Sequence, residues 1–199
     1  MTDQQGKSGG ELLAEALEVH GVDLAFGVPG ESYLALLDAL VDGPVRFVTC
    51  RQEGGAAMMA DAYGKLTGRP GVAMVTRGPG ATNAAAGVHI AFQDSTPMIL
   101  LVGQVARDMR DREAFQEVDY RQMYGALAKW VAEIDDAARI PEYLNRAFHT
   151  ATSGRPGPVV LALPEDMLTE RVAPPPAVER YQPLNAAPDP AAMAELRAR

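Results

Sequence analysis

The sequence predicts a doubly wound α/β domain, with a mainly parallel six-stranded sheet and helices on both faces. Six short apolar runs alternate with five helical patterns between Glu11 and Leu163, and parallel neighbours need crossovers that helices supply. The runs are nearly continuous in Val, Ile, Leu, Met and Ala, as expected of strands covered on both faces; a one-sided sheet would alternate apolar with polar residues. With 199 residues and 47% hydrophobic content, the chain is long enough for one substantial core and short for two.

Each element has its own signal. Glu11 to His20 carries Leu12, Leu13, Ala16, Leu17 and Val19 at helical spacing, and Gly21 can stop it. Val22 to Phe26 reads as a strand, Gly27-Val28-Pro29-Gly30 as a turn, and Glu31 to Gly43 as an amphipathic helix through Leu34, Leu36, Leu37 and Leu40. Val45 to Thr49 is the second strand. Glu53 then heads a small-residue helix, Gly68 to Gly71 turns, and Val72 to Thr76 is a strand that breaks at Gly78-Pro79-Gly80. Ala81 to Phe92 is a helix, Met98 to Val102 a strand, and Gly103 to Glu117 a polar loop dense in charge. Trp130 to Ile134 and Val159 to Leu163 complete the strands around a helix, Pro141 to Thr152, opened by proline in its first turn.

The domain is expected over residues 11–170, with residues 1–10 a disordered tail, polar and without the pattern of a signal peptide. From Arg171 the prolines Pro174 to Pro176, Pro183, Pro188 and Pro190 mark residues 171–199 as a linker. Asp189-Pro190 caps a helix that runs to Arg199 without a stopping signal, so a truncated chain is expected, with a further domain beginning near Asp189.

A formal net charge of -8 argues against nucleic acid or an anionic membrane as partner, since both want a concentrated basic face. No run reaches the roughly 18 apolar residues of a membrane span. Cys50 is the sole cysteine, so no intrachain disulfide forms and a cytoplasmic protein with a small-molecule ligand is expected. A nucleophilic Cys50 is outweighed by packing as a small hydrophobe, because no histidine lies nearby in sequence. His20, His89 and His149 show no ligand spacing, and no metal site is expected within the chain.

The stretch from Arg51 to Asn83 concentrates the candidate chemistry. In an open parallel sheet, turns at the carboxyl ends of strands line the ligand crevice, so Glu53 and the 78–80 turn can face one cleft. Each also has a structural reading: Glu53 as an acid favoured by the helix dipole, and the turn as a tight connection. The turn is a poor phosphate cradle, since Pro79 removes a donor, no P-loop lysine follows and the spacing is not G-x-G-x-x-G. Thr82 and Asn83 can cap the next helix or face a ligand. The alanine-rich helix Gly54 to Tyr63, with Met58 and Met59, is a candidate subunit contact.

Three segments in order, RQEGGAAMMADAYGKLTGRPGVAMVTRGPGATN, GQVARDMRDREAFQEVD and ATSGRPGPVVLALPED, resemble the N-terminal, pyrimidine-binding domain of thiamine-diphosphate-dependent enzymes, and among them the acetolactate synthase group. The resemblance runs from Glu11 to Asp166 and implies the thiamine-diphosphate-binding fold. It implies that Glu53 is the glutamate hydrogen-bonded to N1′ of the aminopyrimidine, favouring the imino tautomer that takes the thiazolium C2 proton. Val28, Pro29, Thr76, Pro79 and Asn83 match positions around the same ring. Phe115 and Gln116 match a loop reaching toward substrate, and Lys129 a lysine near the substrate entrance.

The same resemblance implies that the diphosphate and its Mg²⁺ are held by a separate domain through a Gly-Asp-Gly segment that does not occur here. FAD, present in some relatives, would bind mainly in a middle domain. The parent enzyme is then a homo-oligomer, dimer or tetramer, acting on a 2-oxo acid. One departure stands out: Glu31 occupies the place of a second glycine after Pro29-Gly30. Two other readings stand beside this one, a naturally separate subunit of a split decarboxylase and a non-catalytic, Rossmann-like nucleotide-binding module.

Overall fold

A computed structural model describes residues 6–184 and 186–199. In chain order its elements are β1 (Lys7–Ser8), α1 (Gly9–Val19), β2 (Leu24–Gly27), α2 (Leu34–Leu40), β3 (Arg46–Thr49), α3 (Glu53–Thr67), β4 (Gly71–Val75) and α4 (Pro79–Gln93). There follow β5 (Met98–Gln104), α5 (Tyr120–Tyr124), β6 (Trp130–Glu133), α6 (Ile140–Thr152), β7 (Pro158–Pro164), α7 (Glu165–Thr169), β8 (Arg171–Val172) and α8 (Pro190–Ala198). Six strands form one parallel sheet in the order β3-β2-β4-β5-β7-β6. This is the doubly wound α/β fold that the sequence predicts.

Successive strand residues point to opposite faces, and both faces are covered. Along β5, Ile99 and Leu101 enter one apolar layer with α1, α2, α6 and α7, while Met98, Leu100 and Val102 enter the other with α3 and α4. Alternation is therefore present in space but hidden in sequence. The two layers differ in grain. The first is built of Leu, Ile and Phe148, the second largely of alanines such as Ala56, Ala57, Ala60, Ala84 and Ala91. Small side chains let α3 and α4 pack closely: a Cβ built on Gly87 would lie 2.5 Å from Ala57 Cβ. Their first turns are thereby brought side by side at the carboxyl rim of the sheet.

Two expectations are corrected. Residues 1–5 of the tail lie outside the described residues, but Lys7 and Ser8 pair with Val172 and Arg171 as a two-stranded ribbon. Helix α1 starts at Gly9, because Ser8 and Glu11 cap it reciprocally. The proline-rich segment is also not wholly a linker, since Tyr181 is buried against Phe148 and His20 in the first apolar layer. Among the described residues, no helix is long and apolar enough to cross a membrane.

Candidate functional site

The parallel sheet collects its carboxyl-terminal turns along one rim. Glu53 stands there as the first residue of α3, where Gln52 accepts from the Gly55 amide and starts the helix. Its Oε2 accepts a hydrogen bond from the Asn83 side-chain amide of α4 at 2.9 Å. Among the described residues Oε1 has no protein donor. A Cβ on Gly80 would lie 3.5 Å from that oxygen and 2.9 Å from Thr76 Cγ2, so the missing side chain leaves the space before the carboxylate open.

Thr76 in turn contacts the turn after β2. Its hydroxyl lies 2.8 Å from Ser32 Oγ, and a Cβ on Gly30 would meet Thr76 Cβ at 2.5 Å. Tyr33 donates its hydroxyl to the Val28 carbonyl and, at 3.3 Å, to that of Met74. Burial first, then the charge of Glu53, push the Tyr33 hydroxyl well above its ordinary range, so it stays a neutral donor. Val28, Thr76, Pro79, Glu53 and Asn83 are thus on one continuous rim, with Pro29 exposed at its edge.

The 78–80 turn uses up its amides. Gly78 N–H donates to the Tyr120 hydroxyl at 2.9 Å and Gly80 N–H to the Arg77 carbonyl at 3.4 Å, while Pro79 has none. Gly78 adopts φ 53, a conformation suited to glycine. The turn itself therefore offers no anion cradle, and what stands at this rim, among the described residues, is a carboxylate oxygen without a protein donor beside Gly80. Tyr120 is itself pushed up to about 12, chiefly by burial.

Phe115 and Gln116 reach this rim from the 105–119 loop. Phe115 is 71% exposed, and Gln116 presses on the glycine turn, where a Cβ on Gly78 would lie 2.8 Å from its Cβ. Glu31 does begin a helical turn, Glu31–Tyr33, and its carboxylate accepts from Arg77 Nη2 at 2.8 Å. No local pattern announces Arg77, because its partners lie 38 to 88 residues away.

Lys129 is not brought to the rim, which corrects its expected place. It precedes β6, and in a parallel sheet that is the amino-terminal edge. Its ammonium donates to the carbonyls of Thr150 and, at 2.7 Å, Ser153 at the end of α6, where a helix favours a cation. Burial holds it below its ordinary range. Among the described residues, no group of three or more His, Cys, Asp or Glu is placed to hold a metal ion.

Residues 7–123 match the family model of the thiamine pyrophosphate enzyme, N-terminal TPP binding domain. The mitochondrial acetolactate synthase of Schizosaccharomyces pombe is 40% identical over 163 residues, 81% of this chain and 24% of that protein. The large subunits of acetolactate synthase isozymes 2 and 3 of Escherichia coli are 40% and 43% identical over 160 and 162 residues, 80% and 81% of this chain and 29% and 28% of theirs. The chain spans about a quarter of the length of the curated relatives it matches.

Proposed function

The chain belongs to the thiamine pyrophosphate enzyme family, as its N-terminal TPP binding domain, and from that premise we propose that it supplies the aminopyrimidine half of the active site of an acetolactate-synthase-like enzyme. That enzyme decarboxylates a 2-oxo acid and passes the resulting carbanion, which keeps the electron pair of the broken C–C bond, to an acceptor. The observation that supports this most is Glu53, held by Asn83 with its second oxygen before Gly80.

When bound, thiamine diphosphate supplies a carbon nucleophile by loss of the thiazolium C2 proton. Glu53 offers Oε1 to the ring nitrogen and holds the shared proton there, while Asn83 fixes the carboxylate's rotamer. Thr76, braced by Ser32, and the Val28 turn, braced by Tyr33, flank the ring. Phe115 and Gln116 shield the substrate side from water. The diphosphate and Mg²⁺ are held outside this chain, since the glycine turn here has no free amides to offer. A second subunit covers the outward face of α3, where Met58 and Met59 are each 45% exposed, in a cytoplasmic homo-oligomer.

Replacement of Glu53 tests the reading in the holoenzyme. Glu53→Gln keeps shape but not proton exchange, and the rate of C2 hydrogen–deuterium exchange, followed by NMR, is expected to fall by at least about 10²-fold. Exchange within about twofold of wild type removes the assigned role.

A further inference from the structure

Arg77 is only 7% exposed, and its guanidinium reaches three separate segments. Nη2 donates to Glu31 Oε1 at 2.8 Å in the turn after β2, Nη1 to Glu165 Oε2 at 3.1 Å at the head of α7, and Nε to the Phe115 carbonyl at 3.1 Å. A buried guanidinium is costly unless its charge and donors are matched. The planar fork of arginine permits such three-way matching, whereas a lysine offers a point charge.

The loop that accepts the third bond needs outside support. Asp111, Glu113 and Gln116 have φ of 58, 53 and 64, left-handed values that residues with side chains hold only where the surroundings over-determine them. Some support is internal: the Glu117 carboxylate accepts from the amides of Asp111 at 2.8 Å and Ala114 at 3.2 Å. At the start of the loop Arg107 donates to Asp166 of α7 at 2.7 Å and to Glu170 at 2.8 Å; Arg77 supplies the tie at its far end, from Phe115 to Glu31 in the turn after β2 and to Glu165.

We propose that Arg77 is a positioning residue that locks the loop bearing Phe115 and Gln116 onto Glu31 and Glu165, so that the substrate-side rim is one rigid assembly. Glu31, the departure from the family's glycine, is then the partner that Arg77 requires rather than a group that meets substrate. Naming this rim the substrate side rests on the function proposed above; the clasp itself does not.

Hydrogen exchange of the 199-residue chain, read by mass spectrometry over residues 108–119, tests the clasp without cofactor. Arg77→Met is expected to raise exchange there at least about tenfold, as is the double variant Glu31→Gln/Glu165→Gln, which leaves no cavity and alters two exposed side chains. Glu53→Gln leaves it unchanged. Wild-type exchange in either Arg77→Met or the double variant overturns the proposal; if Arg77→Met does not fold, the double variant decides. In the holoenzyme, Arg77→Lys is expected to raise KM for the 2-oxo acid about tenfold with C2 exchange within about twofold of wild type. An equal loss in both overturns the positioning role. Normal C2 exchange in Glu53→Gln removes the cofactor reading and leaves the clasp standing.

Discussion

Asn83 holds Glu53 across the gap between two helices, its amide 2.9 Å from Oε2. The contact joins the first turns of α3 and α4, and it exists because both helices are poor in bulk: Ala56, Ala57 and Ala60 face Ala84, Gly87 and Ala91 over the second apolar layer. A carboxylate at a helix start is favoured by the dipole, but the dipole sets no rotamer. The amide does.

Asn83→Ala separates these effects. Glu53 keeps its charge and helix position and loses its orientation, and misplacement by about 1 Å can cost on the order of 10²-fold in rate. C2 exchange in the holoenzyme is expected to fall about 10- to 100-fold, less than in Glu53→Gln. Because Asn83 is exposed, urea unfolding should shift by no more than about 0.5 kcal/mol. A large stability loss with normal exchange would make Asn83 a structural residue only.

Gly87→Ala tests the close approach that brings the pair together. Alanine gains up to about 1 kcal/mol over glycine in a helix interior. Against that, its Cβ would sit 2.5 Å from Ala57 Cβ and 2.9 Å from the Ala57 carbonyl carbon, and overpacking of this kind costs about 1–3 kcal/mol. Neither the Ala57 Cβ nor the backbone behind it can swing aside, so the clash wins: net destabilisation on urea unfolding is expected, together with slower C2 exchange as α4 moves off α3. Stabilisation would show that the helices separate freely.

How much of this was legible in the residues depends on range. All six strands of the sheet and the long helices correspond to runs or periodic patterns, because a covered strand is apolar throughout and a helix of several turns repeats its face. The five-residue helices Tyr120–Tyr124 and Glu165–Thr169 were not legible, since little more than one turn shows no period. Glu53 and Asn83 fall within one short stretch and could be singled out together. Arg77 joins residues 46, 38 and 88 positions away, and only the fold makes them neighbours. Resemblance alone puts Lys129 near the substrate, whereas strand direction sets it before β6, at the other edge.

Leu161→Ala reports on the larger-grained layer. Leu161 is fully buried on β7 between β5 and β6, where neighbours on both strands limit collapse into the space. A loss of about 2–5 kcal/mol is expected, a large part of the 5–15 kcal/mol typical of a domain. The urea midpoint should fall with an unchanged m value. A loss below about 1 kcal/mol would mean that this layer relaxes as freely as a surface site.

His20 predicts an acid-sensitive anchor for the proline-rich segment. It caps α1, stacks on Phe148 with ring centroids 4.5 Å apart, and accepts through Nδ1 from the Tyr181 amide at 3.2 Å. Burial first, then the charges of His149 and Arg180, hold it at about 4, below its ordinary value near 6.5. A proton on Nδ1 would also oppose the Tyr181 N–H. The unfolded chain therefore binds this proton more readily than the folded one, so the His20 contribution is complete above about pH 6.5 and is lost as pH falls toward 4. At about 1.4 kcal/mol per pH unit, discounted for partial hydration, the loss is on the order of 2 kcal/mol. Carboxylates held low by their partners, such as Glu11 and Asp23, act below their own ordinary range and leave the window from pH 6.5 to 4.5 to histidine. Urea unfolding of the wild type should weaken across that window, while His20→Asn, less stable at pH 7, should show a flatter slope. Equal slopes would mean that the ring takes its proton without leaving Tyr181.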